Sequence, residues 1–98
     1  MERGGYIYIM TNKSKSTLYV GVTSNIRNRV AEHKEKRHSE SFTAKYNINI
    51  LVYYERFEYI EEAITREKQL KSGSRKTKEN LINKMNPEWL DLLESIEE

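Results

Sequence analysis

The stretch from Tyr6 to His33 constrains this chain more than any other. Two short apolar and aromatic runs, Tyr6-Ile7-Tyr8 and Tyr19-Val20-Gly21, flank the polar, turn-forming segment Thr11-Asn12-Lys13-Ser14-Lys15-Ser16. That pattern predicts two strands joined as a hairpin. Side chains alternate across a strand, so Tyr6, Tyr8 and Met10 share one face, and Ile7 and Ile9 the other. On the second strand Leu18, Val20 and Val22 lie opposite Tyr19 and Gly21. One sheet face thus carries tyrosine hydroxyls beside a residue with no side chain, and Gly21 leaves room for a ligand to approach the backbone.

A helix follows directly. Ser24 or Asn25 can cap it, and Ile26, Val30 and His33 fall on one side at spacings of four and three. Arg29 and His33, four apart, are neighbours on the helix surface at the edge of that stripe. Packed on the tyrosine-bearing face, this helix would gather phenols, a guanidinium and an imidazole. Such a set suits a phosphate oxygen and a poised water better than an apolar core. A phenol acting as base from its ordinary pKa of about 10 would need Arg29 or a cation nearby to lower it.

A second helix is expected from about Tyr59 to Lys71. Ile60, Ala63, Ile64 and Leu70 set its inward stripe, and Glu67 sits inside that stripe. Desolvating a lone carboxylate costs on the order of several kcal/mol, so Glu67 needs an arginine, a protonated neighbour or a metal cation. An ion pair with Arg29 or a lysine at the rim is one solution. Beside the tyrosine and arginine cluster a cation is the better one. A single carboxylate is a common way of holding Mg²⁺ (or Mn²⁺), which keeps several waters and takes further oxygens from substrate phosphate.

The remaining elements complete a small α+β fold. Residues 1–5 read as a lead-in, and Ile48 to Glu55 as a third strand. Its continuous run Ile50-Leu51-Val52-Tyr53 suggests cover on both faces and a central place in the sheet. A third helix spans about Arg75 to Lys84, after the stop-and-cap sequence Ser72-Gly73-Ser74. Pro87 fits the first position of a closing C-terminal helix capped by Asn86, with Trp89, Leu90, Leu93 and Ile96 as its apolar side. The expected architecture is a three-stranded antiparallel sheet flanked by helices, in the order β-β-α-β-α-α plus that closing helix. His38 to Asn47 reads as a loop in which Phe42, Lys45 and Tyr46 could stack on bases and hold a phosphate. The plainer reading, that these aromatics pin the loop to the body, is preferred.

At 98 residues one core is expected. There is no cysteine, which excludes disulfides and thiolate metal sites and fits a cytoplasmic protein. His33 and His38, five apart, do not share a helix face, so zinc is disfavoured. The apolar run Ile50 to Tyr54 is too short to span a membrane, and no signal-peptide stretch opens the chain. Charge is unevenly spread: residues 1–86 hold all 17 Lys and Arg against 10 acids, for +7, whereas residues 87–98 hold 5 acids and no base, for −5. A basic body with an acidic tail is compatible with nucleic-acid binding.

Tyr6-Ile7-Tyr8, Tyr19-Val20-Gly21, Arg29, His33 and the later Glu67 together resemble the GIY-YIG nuclease domain. That family includes homing endonucleases, a nucleotide-excision-repair incision subunit and small stand-alone bacterial proteins. Tyr6 stands where the family's first motif has glycine. The resemblance implies a metal-dependent endonuclease that hydrolyses DNA phosphodiester bonds in repair, recombination or processing. It implies that Glu67 carries the cation, with Tyr8, Tyr19, Arg29 and His33 at the catalytic centre. A family asparagine near the site finds its match in Asn86. Gly21, Lys45, Tyr46 and Asn86 are the expected substrate-binding residues.

With no second domain to read base edges, phosphate contacts would position the DNA but hardly specify it. Structure-selective or weakly sequence-selective cutting is therefore expected, for instance of branched or single-stranded DNA, unless a partner or a dimer supplies targeting. Two other functions compete: a nucleic-acid-binding module of the same fold that does not cut, and a protein-interaction domain using Trp89 and the acidic tail.

Overall fold

The computed structural model describes residues 4–36 and 40–96. Three strands, β1 (Gly5–Thr11), β2 (Leu18–Thr23) and β3 (Ile50–Phe57), form one antiparallel sheet in the order β2-β1-β3. The expected hairpin is present, with Tyr8 opposite Gly21 and Met10 opposite Tyr19. β1 is the middle strand, and every one of its residues is buried.

β3 is an edge strand, not the central one its apolar run suggested. Cover on both faces comes here from helices, which says nothing about how many strands lie alongside. A bulge adds to the effect. Ile9 pairs with Tyr53 and Met10 with Leu51, leaving Val52 as an extra residue. Val52 and Tyr53 consequently both join the core on the same side of the sheet.

Helix α1 (Ile26–Glu35) packs Ile26 and Val30 against Tyr6, Tyr8, Met10 and Leu51 on the tyrosine face. A short helix, α2 (Phe42–Lys45), capped by the Ser41 hydroxyl, replaces part of the expected loop. On the aliphatic face, α3 (Ile60–Ser72) and α4 (Arg75–Met85) bury Ala63, Leu70 and Ile82 against Ile7, Ile9, Val20 and Val52. Each buried Leu, Ile or Val here contributes about 1.5–3 kcal/mol through its burial. Ile64, expected inward, faces solvent. Gly5 lets α3 approach β1 closely: a β-carbon there would stand 2.4 Å from Ile60 Cδ1 and 3.1 Å from Ala63 Cβ. This close seat places the rest of α3, Glu67 included, against the sheet.

The closing helix expected from Pro87 does not form. Asn86 ends α4, a turn follows with Trp89 at φ 55°, and among the described residues only a short 3-10 turn (Leu93–Ser95) is helical beyond it. The physical reason is the path of the segment. Trp89 packs on the aliphatic core, whereas Leu92, Leu93 and Ile96 pack on the tyrosine face, so the chain must round the edge of β3. A helix could cover one face but could not wrap that edge.

Along the way the segment satisfies the edge itself. Leu92 N donates to Leu51 O at 2.8 Å, and Asn86 Nδ2 donates to Val52 O at 3.1 Å. The rest of the Asn86 amide is committed to Leu90, with Nδ2 donating to its carbonyl at 2.8 Å and Oδ1 accepting from its N–H at 3.0 Å. Asn86, expected to bind substrate, is buried here with its amide bonded to the backbone of Val52 and Leu90. The Asp91 carboxylate pairs with Lys34, and Arg27 donates to the Ile96 carbonyl, so the start of the acidic tail docks on α1. Among the described residues no helix is long and apolar enough to cross a membrane.

Candidate active site

Tyr8 and Gly21 face each other across the β1–β2 ladder. A β-carbon on Gly21 would stand 2.3 Å from both Cζ and the hydroxyl of Tyr8. The room that Gly21 was expected to leave for a ligand is thus taken by the ring of Tyr8. That ring is buried, and its hydroxyl lies 3.0 Å from Nε2 of His33.

His33 reaches this position because Asn25 starts α1 in the right register, its side chain accepting from Asn28 N at 3.2 Å. Two helical spacings then bring Ile26, Val30 and His33 to the buried side, as the sequence pattern predicted. The other His33 nitrogen, Nδ1, lies 2.9 Å from Thr43 Oγ1, which in turn is 3.2 Å from Ser41 Oγ. Tyr19 completes the aromatic cluster, its ring centre 5.5 Å from that of His33 and 6.3 Å from that of Tyr8.

Arg29 is held from behind by Glu32, with Nη1 to Oε1 at 3.0 Å, and its guanidinium sits beside the Tyr8 hydroxyl. Burial pushes the Tyr8 phenol up to about 12, and Tyr19 adds to the rise, while Arg29 opposes it. Arg29 alone therefore does not lower this phenol as expected, since desolvation wins. For Arg29 itself burial acts against the charge, but Glu32 and the two phenols outweigh it and leave the guanidinium more firmly protonated.

The cluster opens to solvent through a small cleft of about 110 Å³, lined by Tyr19, Arg29, His33, Lys36, Ser41 and Thr43 among others. A second groove of about 350 Å³ runs along the β2 edge past Leu18 and Val20 to Lys71 and Lys78. Tyr19 and Phe42 form the wall shared by the two. Phe42 lies near-parallel to Tyr19 with ring centres 6.3 Å apart, and Tyr46 follows at 4.6 Å from Phe42. Phe42 packs α2 on Tyr19 of the body and Tyr46 packs on Phe42, yet Phe42 remains 49% exposed and Tyr46 52%. Lys45 is exposed beside them.

Glu67 arrives from α3, the layer beneath the other sheet face, and still acts electrostatically on Tyr8. Its side chain is only 15% exposed, and its partner is Lys71 Nζ at 3.2 Å, one turn along the same helix. Lys71 is 54% exposed on a flexible stem, so a cation could displace it. Among the described residues no three His, Cys, Asp or Glu side chains come together. His38 lies outside the described residues. A single carboxylate of this kind is a donor that a hard, water-carrying divalent cation accepts.

The expected residues Tyr8, Tyr19, Arg29 and His33 therefore converge, Glu67 on α3 has an electrostatic influence on Tyr8, and Asn86 is held by Val52 and Leu90. Glu32, Ser41, Thr43 and Lys36 also belong to the cleft. Glu32 was legible as a partner three residues from Arg29, and Ser41 as a cap before a short helix. Nothing in the local sequence signals Thr43, whose link to His33 is purely tertiary.

The family model described as the GIY-YIG catalytic domain matches residues 4–80, which include Glu67 and stop short of Asn86. A UPF0213 protein of Natronomonas pharaonis is 36% identical over 82 residues, covering 84% of this chain and 94% of that protein. A UPF0213 protein of Syntrophus aciditrophicus is 37% identical over 83 residues, covering 85% and 93%. The solution NMR structure of the UPF0213 protein of Bacillus halodurans superposes with a TM-score of 0.56 at 26% identity, over 90% of this chain and 92% of that one. Matched by that family model over residues 4–80 and more than a third identical to these relatives over most of its length, this chain belongs to the GIY-YIG family.

Proposed function

We propose that this chain is a divalent-cation-dependent endonuclease that hydrolyses DNA phosphodiester bonds at the cleft beside Tyr19. The observation that supports this reading most is the meeting of Tyr8, Arg29 and His33 in one cluster, with the Glu67 carboxylate of α3 felt electrostatically at Tyr8. A structural ion pair needs no phenol–imidazole pair beside it, whereas phosphodiester hydrolysis uses each of these groups.

Glu67 would hold Mg²⁺ or Mn²⁺ in place of Lys71, and the chemistry such a cation supplies when bound is charge stabilisation at the scissile phosphate and leaving oxygen. Arg29 neutralises charge developing on the phosphoryl oxygens. Tyr19, which lines the open cleft, orients the attacking water. Tyr8 takes a proton from that water as its own passes to Nε2 of His33, the atom already 3.0 Å from its hydroxyl. Passing the proton on avoids a free buried phenolate, which the high pKa of Tyr8 disfavours.

Lys36 on the cleft, Lys78 along the second groove and the exposed Lys45 supply phosphate contacts, joined by Lys71 once it leaves Glu67. Phe42 and Tyr46 offer exposed ring faces on which an unpaired base can stack. These contacts are largely blind to sequence. Branched or single-stranded DNA cut with weak sequence preference, in a cytoplasmic repair or processing role, is the substrate class they fit.

The test is incubation with plasmid, branched and single-stranded DNA, with and without Mg²⁺, using the wild type, Glu67→Ala and Arg29→Ala. Mg²⁺-dependent cleavage lost in both variants supports the proposal. Identical products from all three proteins would mean a contaminant, and binding without cleavage by the wild type would favour a non-cutting module.

A further inference from the structure

His33 is held at both ring nitrogens, and the two partners are chemically unequal. Nε2 faces a phenol, Tyr8, and Nδ1 faces an aliphatic hydroxyl, Thr43. All three side chains are buried, so water does not compete freely for these positions. A neutral imidazole carries one proton and must donate from one nitrogen while accepting at the other. A phenol is by far the stronger acid of the two hydroxyls, and an aliphatic hydroxyl oxygen is the better acceptor. The favoured arrangement therefore has Tyr8 donating to Nε2 and Nδ1–H donating to Thr43.

Ser41 closes the sequence consistently. Thr43 Oγ1 is 3.2 Å from Ser41 Oγ, which also accepts from Ala44 N at 3.3 Å as the cap of α2. With its oxygen occupied by the His33 N–H, Thr43 has its own proton free for Ser41. The proton chain then runs from His33 through Thr43 to the Ser41 hydroxyl, which lies on the wall of the open cleft.

We propose that Thr43 is a positioning residue that acts through His33, fixing the tautomer whose basic nitrogen faces Tyr8. This rests on the nuclease reading above. Its consequence is directional: the Nε2 lone pair is kept ready for the Tyr8 proton, and the imidazolium formed keeps a hydrogen bond from Nδ1–H to Thr43. One proton moves from water to Tyr8 Oη and one from Tyr8 Oη to Nε2, so the count balances with none lost to Thr43. Without the Thr43 hydroxyl, Nδ1–H loses the acceptor at 2.9 Å that favours this tautomer, and the other tautomer gains population.

The experiment compares the full chain as wild type, Thr43→Val and Thr43→Ser, with thermal unfolding recorded for each. Two readouts are taken: imidazole ¹⁵N NMR signals of His33 without DNA, and single-turnover cleavage of single-stranded DNA with Mg²⁺. The expected result is an Nδ1-protonated pattern in the wild type and Thr43→Ser, and a shifted or mixed pattern in Thr43→Val. Cleavage at saturating DNA should fall about ten- to a hundredfold in Thr43→Val, with unchanged half-saturation, and recover in Thr43→Ser. Unchanged ¹⁵N signals in Thr43→Val, or a Thr43→Ser protein as slow as Thr43→Val, would overturn the proposal. If Thr43→Val does not fold, the ¹⁵N pattern of the wild type and Thr43→Ser decides alone: Nε2 protonation in either sinks it. Because the NMR readout needs no cleavage, a wild type that cuts no DNA would count against the nuclease reading and leave this link separately measurable.

Discussion

The phenol of Tyr8 lies flat against the backbone of Gly21, close enough that a single added methyl would sit 2.3 Å from its oxygen. The glycine thus serves the tyrosine directly across the ladder, and through it the bond to His33. Gly21→Ala should displace the Tyr8 ring and break that bond. Overpacking of this kind costs about 1–3 kcal/mol, and cleavage should fall about a hundredfold or more in protein that remains folded. Circular dichroism melting together with the cleavage assay checks both halves. Wild-type activity in Gly21→Ala would mean that the position of Tyr8 does not matter.

Asn86 should be a stability residue only. Asn86→Ala leaves the Val52 carbonyl and the Leu90 N–H without their side-chain partners. Stranding such buried groups costs about 1–3 kcal/mol each at most, so a lower urea midpoint is expected with normal cleavage at temperatures where the protein stays folded. A rise in the DNA concentration needed for half-maximal cleavage, at unchanged stability, would restore Asn86 to substrate binding.

Lys71 competes for the carboxylate that is proposed to hold the cation. Its pair with Glu67 spans one helical turn and is half exposed, so it contributes no more than about 0.5 kcal/mol to stability. Lys71→Met should melt within a few degrees of the wild type and bind Mn²⁺ about two- to fivefold more tightly, measured by calorimetry without DNA. Equal or weaker Mn²⁺ binding would show that Glu67 is not where the ion sits.

The raised pKa of Tyr8 has a signature at high pH. Its folded value is about 12, against about 10 for an unfolded phenol, so between those values the folded chain keeps a proton that the unfolded chain releases. Stability should therefore be complete below about pH 10 and decline as pH rises through about 12. Tyr8→Phe removes this contribution while leaving that of the other tyrosines in place. Urea midpoints measured at about pH 8 and about pH 11 should differ less in Tyr8→Phe than in the wild type. Equal differences would argue that the Tyr8 hydroxyl is not desolvated.

Much of this site could be read from the sequence because its parts sit on regular elements. Strand alternation placed Tyr8 and Tyr19 on the face opposite Ile7 and Val20, and helical spacing placed Arg29 beside His33. A carboxylate inside an apolar stripe marked Glu67. What failed depended on contacts between distant segments. The β3 bulge at Val52 and the route of the tail around the β3 edge leave no local periodicity, so β3 read as central and Pro87 as a helix start. Asn86 was a reasonable cap by composition, yet its amide found carbonyl partners 34 and 4 residues away. Gly21 was read as leaving room for a ligand, whereas the group packed against it is the chain's own phenol.

The convergence of Glu67 with the aromatic cluster is tested most directly by adding Mn²⁺ to ¹⁵N-labelled protein without DNA and following which backbone amides broaden. Tyr19, Gly21, Arg29 and Glu67 should lose intensity together, and the effect should vanish in Glu67→Gln. Broadening centred on Glu88 and Asp91 instead, or unchanged broadening in Glu67→Gln, would contradict a catalytic cation at this cleft.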